Sequence, residues 1–284
     1  MGILITMMVL LFWYLSQREN EDGRVDYNLK EEAKQDKALQ DLLATENDNI
    51  KQKLVPFGIL TYHHIGPNAK GNYNRWCVYP KIFSQQIEDL KNAGYHFVTL
   101  AEAMEKFQTV SSTTIPFQKT IVLTFDDGYR DFYTVAYPFL KKNKIPATLF
   151  VITQDIGHAG NVTWDMIKEM QASGLVEIGS HTVHHKNLLY ASEKVIRSEI
   201  FDSKKILEEK LGTKIKTFAY PYGTSGPTAI RLVQEAGYIG GVRVLAGQKP
   251  TSANMYVWRR MIAETNDVGE KFLKKIYNAF VVLK

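Results

Sequence analysis

The chain has 284 residues, of which 45% are hydrophobic and 23% are charged. This is enough apolar material for a real core in one large domain or two small ones. The net charge of +5 is spread along the chain without a basic tract or a nucleic-acid motif, so we expect no nucleic-acid partner. The single cysteine, Cys77, excludes an internal disulfide framework.

The chain begins with an apolar stretch at residues 3–15, interrupted only by Thr6. It is shorter than the roughly 20 residues of a typical spanning helix, and no Lys or Arg precedes it. It could be a marginal anchor, a signal-peptide core, the tail of a longer segment or a buried helix. Because no small-x-small cleavage site follows, we favour an uncleaved anchor or signal-like segment at 1–18, although Arg18 on its C-terminal side argues weakly against export.

Glu, Asp, Lys, Asn and Gln dominate the next part of the chain, and apolar residues are sparse there. This composition predicts a polar, partly helical stalk at 19–54. The remaining residues, 55–284, are predicted to form the folded domain.

In that domain, short apolar runs alternate with amphipathic segments. Strands are predicted at 57–63, 97–100, 121–125, 147–152, 175–178, 216–220 and 239–244. Helices are predicted at 80–93, 101–107, 131–143, 164–172, 192–211 and 228–236. Because parallel strands need helical crossovers of this kind, the pattern predicts an α/β fold with a parallel sheet, whose ligands gather at the carboxyl ends of its strands.

The strand at 121–125 ends in two adjacent carboxylates, Asp126 and Asp127, and then Gly128. Adjacent carboxylates repel each other unless a cation or a shared proton compensates. A bound metal explains the pair. An ordinary Asp-Asp-Gly turn is the alternative, since both residue types are common in turns.

A group of histidines follows the apolar run at 175–178, with His181 and His185 four residues apart and His184 between them. Two neutral imidazoles and one carboxylate make a three-ligand site with an open position, which is typical of a catalytic metal. A structural zinc site would need four protein ligands, often thiolates, and Cys77 is the only cysteine. A histidine-rich surface loop is the alternative.

Three motifs occur in the order TFDDG at 124–128, SHTVHH at 180–185 and YPYG at 220–223. In this order they resemble the polysaccharide deacetylase family, also known as the NodB-homology or carbohydrate esterase family 4 enzymes, over about residues 55–265. The resemblance implies a single catalytic domain, a distorted (β/α) barrel of about seven parallel strands. It also implies removal of acetyl groups from N-acetylated sugars with a divalent metal, most often Zn²⁺, with Co²⁺, Ni²⁺ or Mn²⁺ as alternatives.

The resemblance further implies a role for each motif residue. Asp127, His181 and His185 match the family's metal ligands, and Asp126 matches its general base. Tyr222 matches the position whose backbone N–H stabilises the tetrahedral oxyanion. Alternatively, Asp126 only accepts a hydrogen bond and Tyr222 only packs in a Pro-Tyr-Gly turn.

The catalytic acid departs from the commoner family pattern. Most members carry an acid histidine in a C-terminal Leu-x-His motif, yet no histidine follows His185. The branch that acts on poly-β-1,6-N-acetylglucosamine in biofilms has this histidine on the first strand, in a Tyr-His context that His63 matches. We therefore predict that His63 is the acid, with its imidazolium favoured by nearby carboxylates. His64 is predicted to face the other way as a substrate-binding or orienting residue; both could instead only pack the strand end.

A second departure is Ala219, where most members have an Arg that orients the base aspartate. The biofilm branch has the same Ala-Tyr-Pro-Tyr-Gly sequence, and an Arg nearer its C-terminus compensates. Arg260 is the predicted replacement, ahead of Arg259, because a guanidinium beside Asp126 would keep that carboxylate ionised. The alternative is that both arginines lie on the surface.

These features predict a hydrolase of carbon-nitrogen bonds other than peptide bonds, a polysaccharide N-deacetylase that acts on a cell-surface or extracellular N-acetylglucosamine polysaccharide. With the segment at 1–18 as a membrane contact, we expect a monomer on the extracellular face of a bacterial membrane or at the cell surface. An O-acetyl esterase on another glycan, and a carbohydrate-binding protein with the same fold and no turnover, are the alternatives. Peptidoglycan and chitin-like oligomers also stay open as substrates.

Overall fold

The computed structural model describes residues 57–67, 75–110, 116–244, 248 and 250–280. The predicted anchor at 1–18 and stalk at 19–54 lie outside the described residues. Among the helices of the described ranges, none combines the length and the apolar character needed to cross a membrane.

The strands of the described residues are β1 (Phe57–Tyr62), β2 (His64–Ile65), β3 (Cys77–Val78), β4 (His96–Val98), β5 (Thr120–Phe125), β6 (Ala147–Val151), β7 (Val176–Ser180), β8 (Thr217–Ala219), β9 (Gly240–Val244) and β10 (Trp258–Ile262). The α-helices are α1 (Pro80–Asn92), α2 (Leu100–Gln108), α3 (Tyr137–Asn143), α4 (Trp164–Ala172), α5 (Glu193–Leu211), α6 (Pro227–Glu235) and α7 (Gly269–Phe280).

Seven parallel strands close into a barrel in the order β1, β10, β9, β8, β7, β6, β5. Strand β5 returns to β1 with Leu60 opposite Leu123, which completes the ring. Strand β4 pairs with the first half of β5 and stays beside the ring, while β6 pairs with the second half. The predicted (β/α) barrel of about seven parallel strands is therefore confirmed.

One strand of the barrel differs from the prediction. The sequence predicts a strand near 97–100 and none after 244, whereas the structure leaves β4 outside the ring and closes it with β10. Strand β10 reads WRRMI, and its two arginines conceal the pattern of a buried strand. Arg260 is nevertheless only 1% exposed, because its charge is paired inside the protein.

The local sequence explains most of the other elements. Strands β1 (FGILTY) and β5 (TIVLTF) are buried at every position, as expected for parallel strands covered on both faces. Helix α2 begins at a capping box formed by Thr99 and Glu102. The predicted helix at 131–143 begins with a π-helical turn at Phe132–Ala136 before α3, next to Pro138, which has no backbone N–H to donate.

A small two-stranded sheet follows β1. Strand β2 pairs with β3, with His64 opposite Cys77 and Ile65 opposite Val78. The backbone N–H of His64 also donates to the carbonyl oxygen of Trp76 at 3.0 Å. These bonds hold the chain in place where it leaves the carboxyl end of β1.

Candidate active site

Three predicted metal ligands meet at the carboxyl-terminal rim of the barrel. Asp127 follows β5, and His181 and His185 follow β7, so parallel strands bring them to the same edge. One donor atom of each residue lies within 4.8 Å of the other two. Nε2 of His181 and Nε2 of His185 lie 3.5 and 3.7 Å from Oδ1 of Asp127.

This cluster fits a divalent cation. Oδ1 of Asp127 is buried and has no hydrogen-bond partner among the described residues, a costly state for a carboxylate oxygen unless a cation compensates. Nδ1 of His181 lies 2.8 Å from the carbonyl oxygen of Ala219, and donation to that oxygen leaves Nε2 free to bind a metal. Burial lowers the pKa of His181 despite the opposing charges of nearby carboxylates, which favours the neutral ring that a metal requires.

The backbone of the site is strained. Four of the six non-glycine residues with positive φ in the described part of the chain are Asp127 (70°), Thr182 (69°), His185 (55°) and Tyr222 (58°). Each costs on the order of 1–3 kcal/mol and persists only where the surroundings enforce it. Two of the four, Asp127 and His185, are metal-ligand candidates. Holding them in this arrangement therefore lowers the stability of the fold.

Asp126 lies beside the cluster and is paired with Arg260. Nη1 of Arg260 lies 2.6 Å from Oδ1 of Asp126, and Nη2 lies 2.7 Å from Oδ2. Burial alone would raise the pKa of Asp126, but the charge and the hydrogen bonds of Arg260, together with the nearby His181 and His63, outweigh it and hold this pKa well below its usual range. The carboxylate is therefore ionised at neutral pH, and Arg260 rather than Arg259 is the arginine beside it.

His63 leaves β1 on the side of Asp126, with its Nε2 atom 3.9 Å from Oδ2 of Asp126. Its ring packs 4.6 Å from the ring of Trp76. The sequence predicts that nearby carboxylates favour the imidazolium, yet burial lowers the pKa of His63 and outweighs the charges of Asp126 and Asp127. At neutral pH the neutral ring is favoured, because His63 is more deeply buried than the sequence suggests.

His64 makes a different set of contacts. Its Nδ1 atom lies 2.6 Å from Oδ2 of Asp131, and its ring stacks on Tyr129 with the ring centroids 3.6 Å apart. His64 thus belongs to the wall of the site rather than to the group of three candidate metal ligands.

Tyr222 lies in a short 3₁₀ turn, Pro221–Gly223, after β8. Tyr222 is 64% exposed, and its ring lies 4.6 Å from the ring of His185. Gly223 is required there, because a Cβ atom would lie 2.6 Å from the carbonyl oxygen of Val244 and its φ is 66°. The glycine of the YPYG motif therefore allows the turn to pack directly against the end of β9.

Three polar residues of the site were not predicted from the sequence: Thr124, Asp131 and Glu199. The hydroxyl of Thr124 accepts a hydrogen bond from Arg260 at 3.0 Å and donates to the carbonyl oxygen of Leu60 at 2.7 Å. Its place inside the TFDDG motif could have identified it. Asp131 and Glu199 have no such signal, because they reach the site from a helical turn and from α5.

Comparisons with known proteins agree with the geometry. Residues 115–240 match the family described as polysaccharide deacetylase. YxkH of Bacillus subtilis (strain 168), assigned by name to polysaccharide deacetylation, is 32% identical over 221 residues, which cover 78% of this chain and 76% of YxkH. A poly-beta-1,6-N-acetyl-D-glucosamine N-deacetylase of Staphylococcus aureus (strain MSSA476) is 33% identical over 207 residues, 68% of this chain and 69% of that protein. The structure of the Streptococcus pyogenes deacetylase PplD in complex with acetate superposes with a TM-score of 0.69 at 33% identity and covers 78% of this chain and 99% of that one.

Proposed function

This chain belongs to the polysaccharide deacetylase family, and from that premise we propose that it hydrolyses the N-acetyl amides of an N-acetylglucosamine polysaccharide. The observation that carries the proposal is the pair of Asp126 and His63, 3.9 Å apart beside the metal cluster. Amide hydrolysis needs a base for the attacking water and an acid for the leaving amine within one site. A carbohydrate-binding protein would need neither.

Asp126 is the base of the proposed reaction. It accepts a proton from the attacking water at a carboxylate oxygen, for which it must be ionised, and its bidentate pair with Arg260 keeps it so. Because the pair also makes Asp126 a weak base, the water needs further activation. A divalent cation on Asp127, His181 and His185 supplies Lewis acidity, which acidifies water and polarises a carbonyl oxygen.

His63 is the acid and protonates the leaving amine from Nε2. The ring takes up this proton from solvent before the amine leaves, and the lowered pKa of His63 then makes the imidazolium a strong donor. The backbone N–H of Tyr222 is the proposed donor to the oxyanion, and the left-handed φ of 58° gives that amide one fixed direction.

We propose a β-1,6-linked N-acetylglucosamine polymer as the substrate and Zn²⁺ as the metal. The polymer is supported by the 33% identity to the Staphylococcus aureus enzyme and by the combination of His63 with Ala219. Zinc is supported by a donor set of two imidazoles and one carboxylate. A monomer anchored through residues 1–18 at the extracellular surface of a bacterial cell is an additional proposal, which rests on the apolar segment at 3–15.

The test is acetate release by the full chain from four substrates: β-1,6-linked and β-1,4-linked N-acetylglucosamine oligomers, peptidoglycan and acetylated xylan. We expect the fastest release from the β-1,6-linked oligomer, its loss with a chelator and its recovery with Zn²⁺. Release from xylan alone would indicate an O-acetyl esterase. Glycan binding without any release would indicate a binding protein, and either result contradicts the proposal.

A further inference from the structure

Two carboxylate-histidine pairs border the active site, and the proposed reaction uses neither carboxylate. One pair joins Glu199 to His184, and the other joins Asp131 to His64. In both pairs the carboxylate also accepts backbone N–H groups from the segment that carries the histidine. We propose that Glu199 is a positioning residue for the metal ligands and that Asp131 is a positioning residue for His63; the second role rests on the proposed function.

Glu199 lies on α5 and is 3% exposed. Its Oε2 atom accepts hydrogen bonds from the backbone N–H groups of Val183 at 2.9 Å and His184 at 2.8 Å. Its Oε1 atom lies 2.8 Å from Nδ1 of His184. A buried carboxylate is retained only when donors surround it, and here all three belong to the loop between the two histidine ligands.

The backbone conformation of that loop needs hydrogen bonds from outside the loop. Thr182 and His185 have φ values of 69° and 55°, which non-glycine residues adopt only under constraint. The Thr182 hydroxyl accepts the N–H of His185 at 2.9 Å, and Glu199 secures the two residues between them. Without Glu199 the loop relaxes toward ordinary backbone angles, and Nε2 of His185 moves away from Asp127.

Asp131 performs the corresponding task at the end of β1. Its Oδ1 atom accepts the N–H of Ile65 at 3.2 Å, and its Oδ2 atom lies 2.6 Å from Nδ1 of His64. These two residues follow His63 directly. Because Asp131 fixes the chain immediately after the proposed acid, it fixes the direction in which the His63 ring leaves the strand.

The two proposed roles predict different defects in the variants of Glu199 and Asp131. A measurement of Zn²⁺ affinity distinguishes between them. We expect Glu199→Ala to weaken Zn²⁺ binding by about 10- to 100-fold in a chelator competition, and Glu199→Gln to weaken it less. The visible spectrum of the Co²⁺-loaded protein should change in both. Circular dichroism establishes whether each variant folds, and if the Ala variant does not fold, Glu199→Gln decides.

Glu208→Gln is the matched control, since Glu208 lies on the same helix and accepts the N–H of Ile215 at 3.0 Å far from the metal loop. The Glu208→Gln variant loses one negative charge, as Glu199→Gln does, and its Zn²⁺ affinity should equal that of the wild type. Wild-type affinity in folded Glu199→Gln, or an equal loss in Glu208→Gln, overturns the role of Glu199.

Asp131→Asn tests the second pair. We expect its Zn²⁺ affinity to stay unchanged, while hydrolysis of the N-acetyl amide falls about tenfold or more because the acid is displaced. Hydrolysis of an activated aryl acetate, whose leaving group needs no proton, should fall much less. Equal losses on the two substrates overturn the role of Asp131. If the wild type releases no acetate from any glycan, the proposed function fails, but the Zn²⁺ affinities still decide the role of Glu199.

Discussion

Asp126 and Arg260 carry opposite charges in a region that excludes water, and each depends on the other. Their two hydrogen bonds, at 2.6 and 2.7 Å, compensate for the loss of hydration. Because the pair lowers the pKa of Asp126, its stabilising effect is fully present above about pH 3.9, the pKa of an unfolded Asp, and is lost as the pH falls through the lower folded-state pKa. Removing only one partner leaves a buried charge, at a cost of about 3–5 kcal/mol.

Arg260→Gln should move the acidic limb of the pH-rate profile to higher pH. Burial raises the pKa of Asp126 once the guanidinium no longer opposes it, so the base becomes protonated at a pH where the wild type is still active. The measurement is kcat/KM for amide hydrolysis against pH with saturating metal. Arg259→Gln is the control and should keep the wild-type profile; an unshifted limb in Arg260→Gln would mean that this arginine does not set the charge of Asp126.

His63→Ala should separate the two halves of the reaction. Loss of a general acid costs about 10²- to 10⁴-fold, but only where the leaving group needs a proton. We therefore expect a large fall in N-acetyl amide hydrolysis and a much smaller one for an activated aryl acetate. Zn²⁺ binding should survive. A similar fall on both substrates would remove His63 from the role of acid.

At the level of whole elements, β10 and α7 complete the barrel from the C-terminal part of the described chain. Strand β10 lies between β1 and β9 and delivers Arg260 to the interior. Helix α7 then packs against α1 and β1 with Phe272, Ile276 and Phe280 buried at helical spacing. Helix α7 is therefore part of the structural unit that forms the site.

Ile276→Ala should destabilise the whole barrel rather than only helix α7. Ile276 is completely buried, and such a truncation typically costs about 2–5 kcal/mol. Urea unfolding followed by circular dichroism measures the change in the free energy of unfolding. Lys274→Ala, on the exposed side of the same helix, should stay within about 0.5 kcal/mol of the wild type. A loss confined to a few helical residues, with the main transition unmoved, would show that α7 is an independent appendage.

At the scale of the whole molecule, we expect metal binding and folding to be linked, because the three candidate ligands follow two different strands and two of them, Asp127 and His185, have strained backbone conformations. A ligand that binds only the folded protein stabilises it by about 2.7 kcal/mol at one hundred times its Kd. We therefore expect a bound cation to compensate for the backbone strain of the site.

Stripping the metal with a chelator should lower the Tm of the wild type, and Zn²⁺ should restore it. At one hundred times the Kd we expect a shift of about 5–10 °C for a domain of this size. His181→Ala, which removes one of the three candidate ligands, should show almost no shift in a thermal scan with and without Zn²⁺. A shift of wild-type size in that variant would place the cation elsewhere.

The sequence by itself determined an α/β class with parallel strands and the local halves of the site, and the family resemblance of its motifs implied the barrel. Apolar runs separated by amphipathic segments specify parallel strands and crossovers, and the paired residues Asp126 and Asp127, and His181 and His185, are close along the chain. Such neighbouring residues can be recognised from the sequence alone, because a strand end or a short loop keeps them close together in any fold.

The tertiary structure decided which strand closes the barrel, which of the two arginines offered by the sequence pairs with Asp126, which further polar residues support the site, and how far the site excludes water. Arg260 meets Asp126 across 134 positions of sequence, and the polar appearance of β10 makes sense only with that partner. Glu199 and Asp131 reach their loops from other elements, and the lowered pKa of His63 follows from its burial. These outcomes depend on which surfaces exclude water together, and that is settled when distant segments pack.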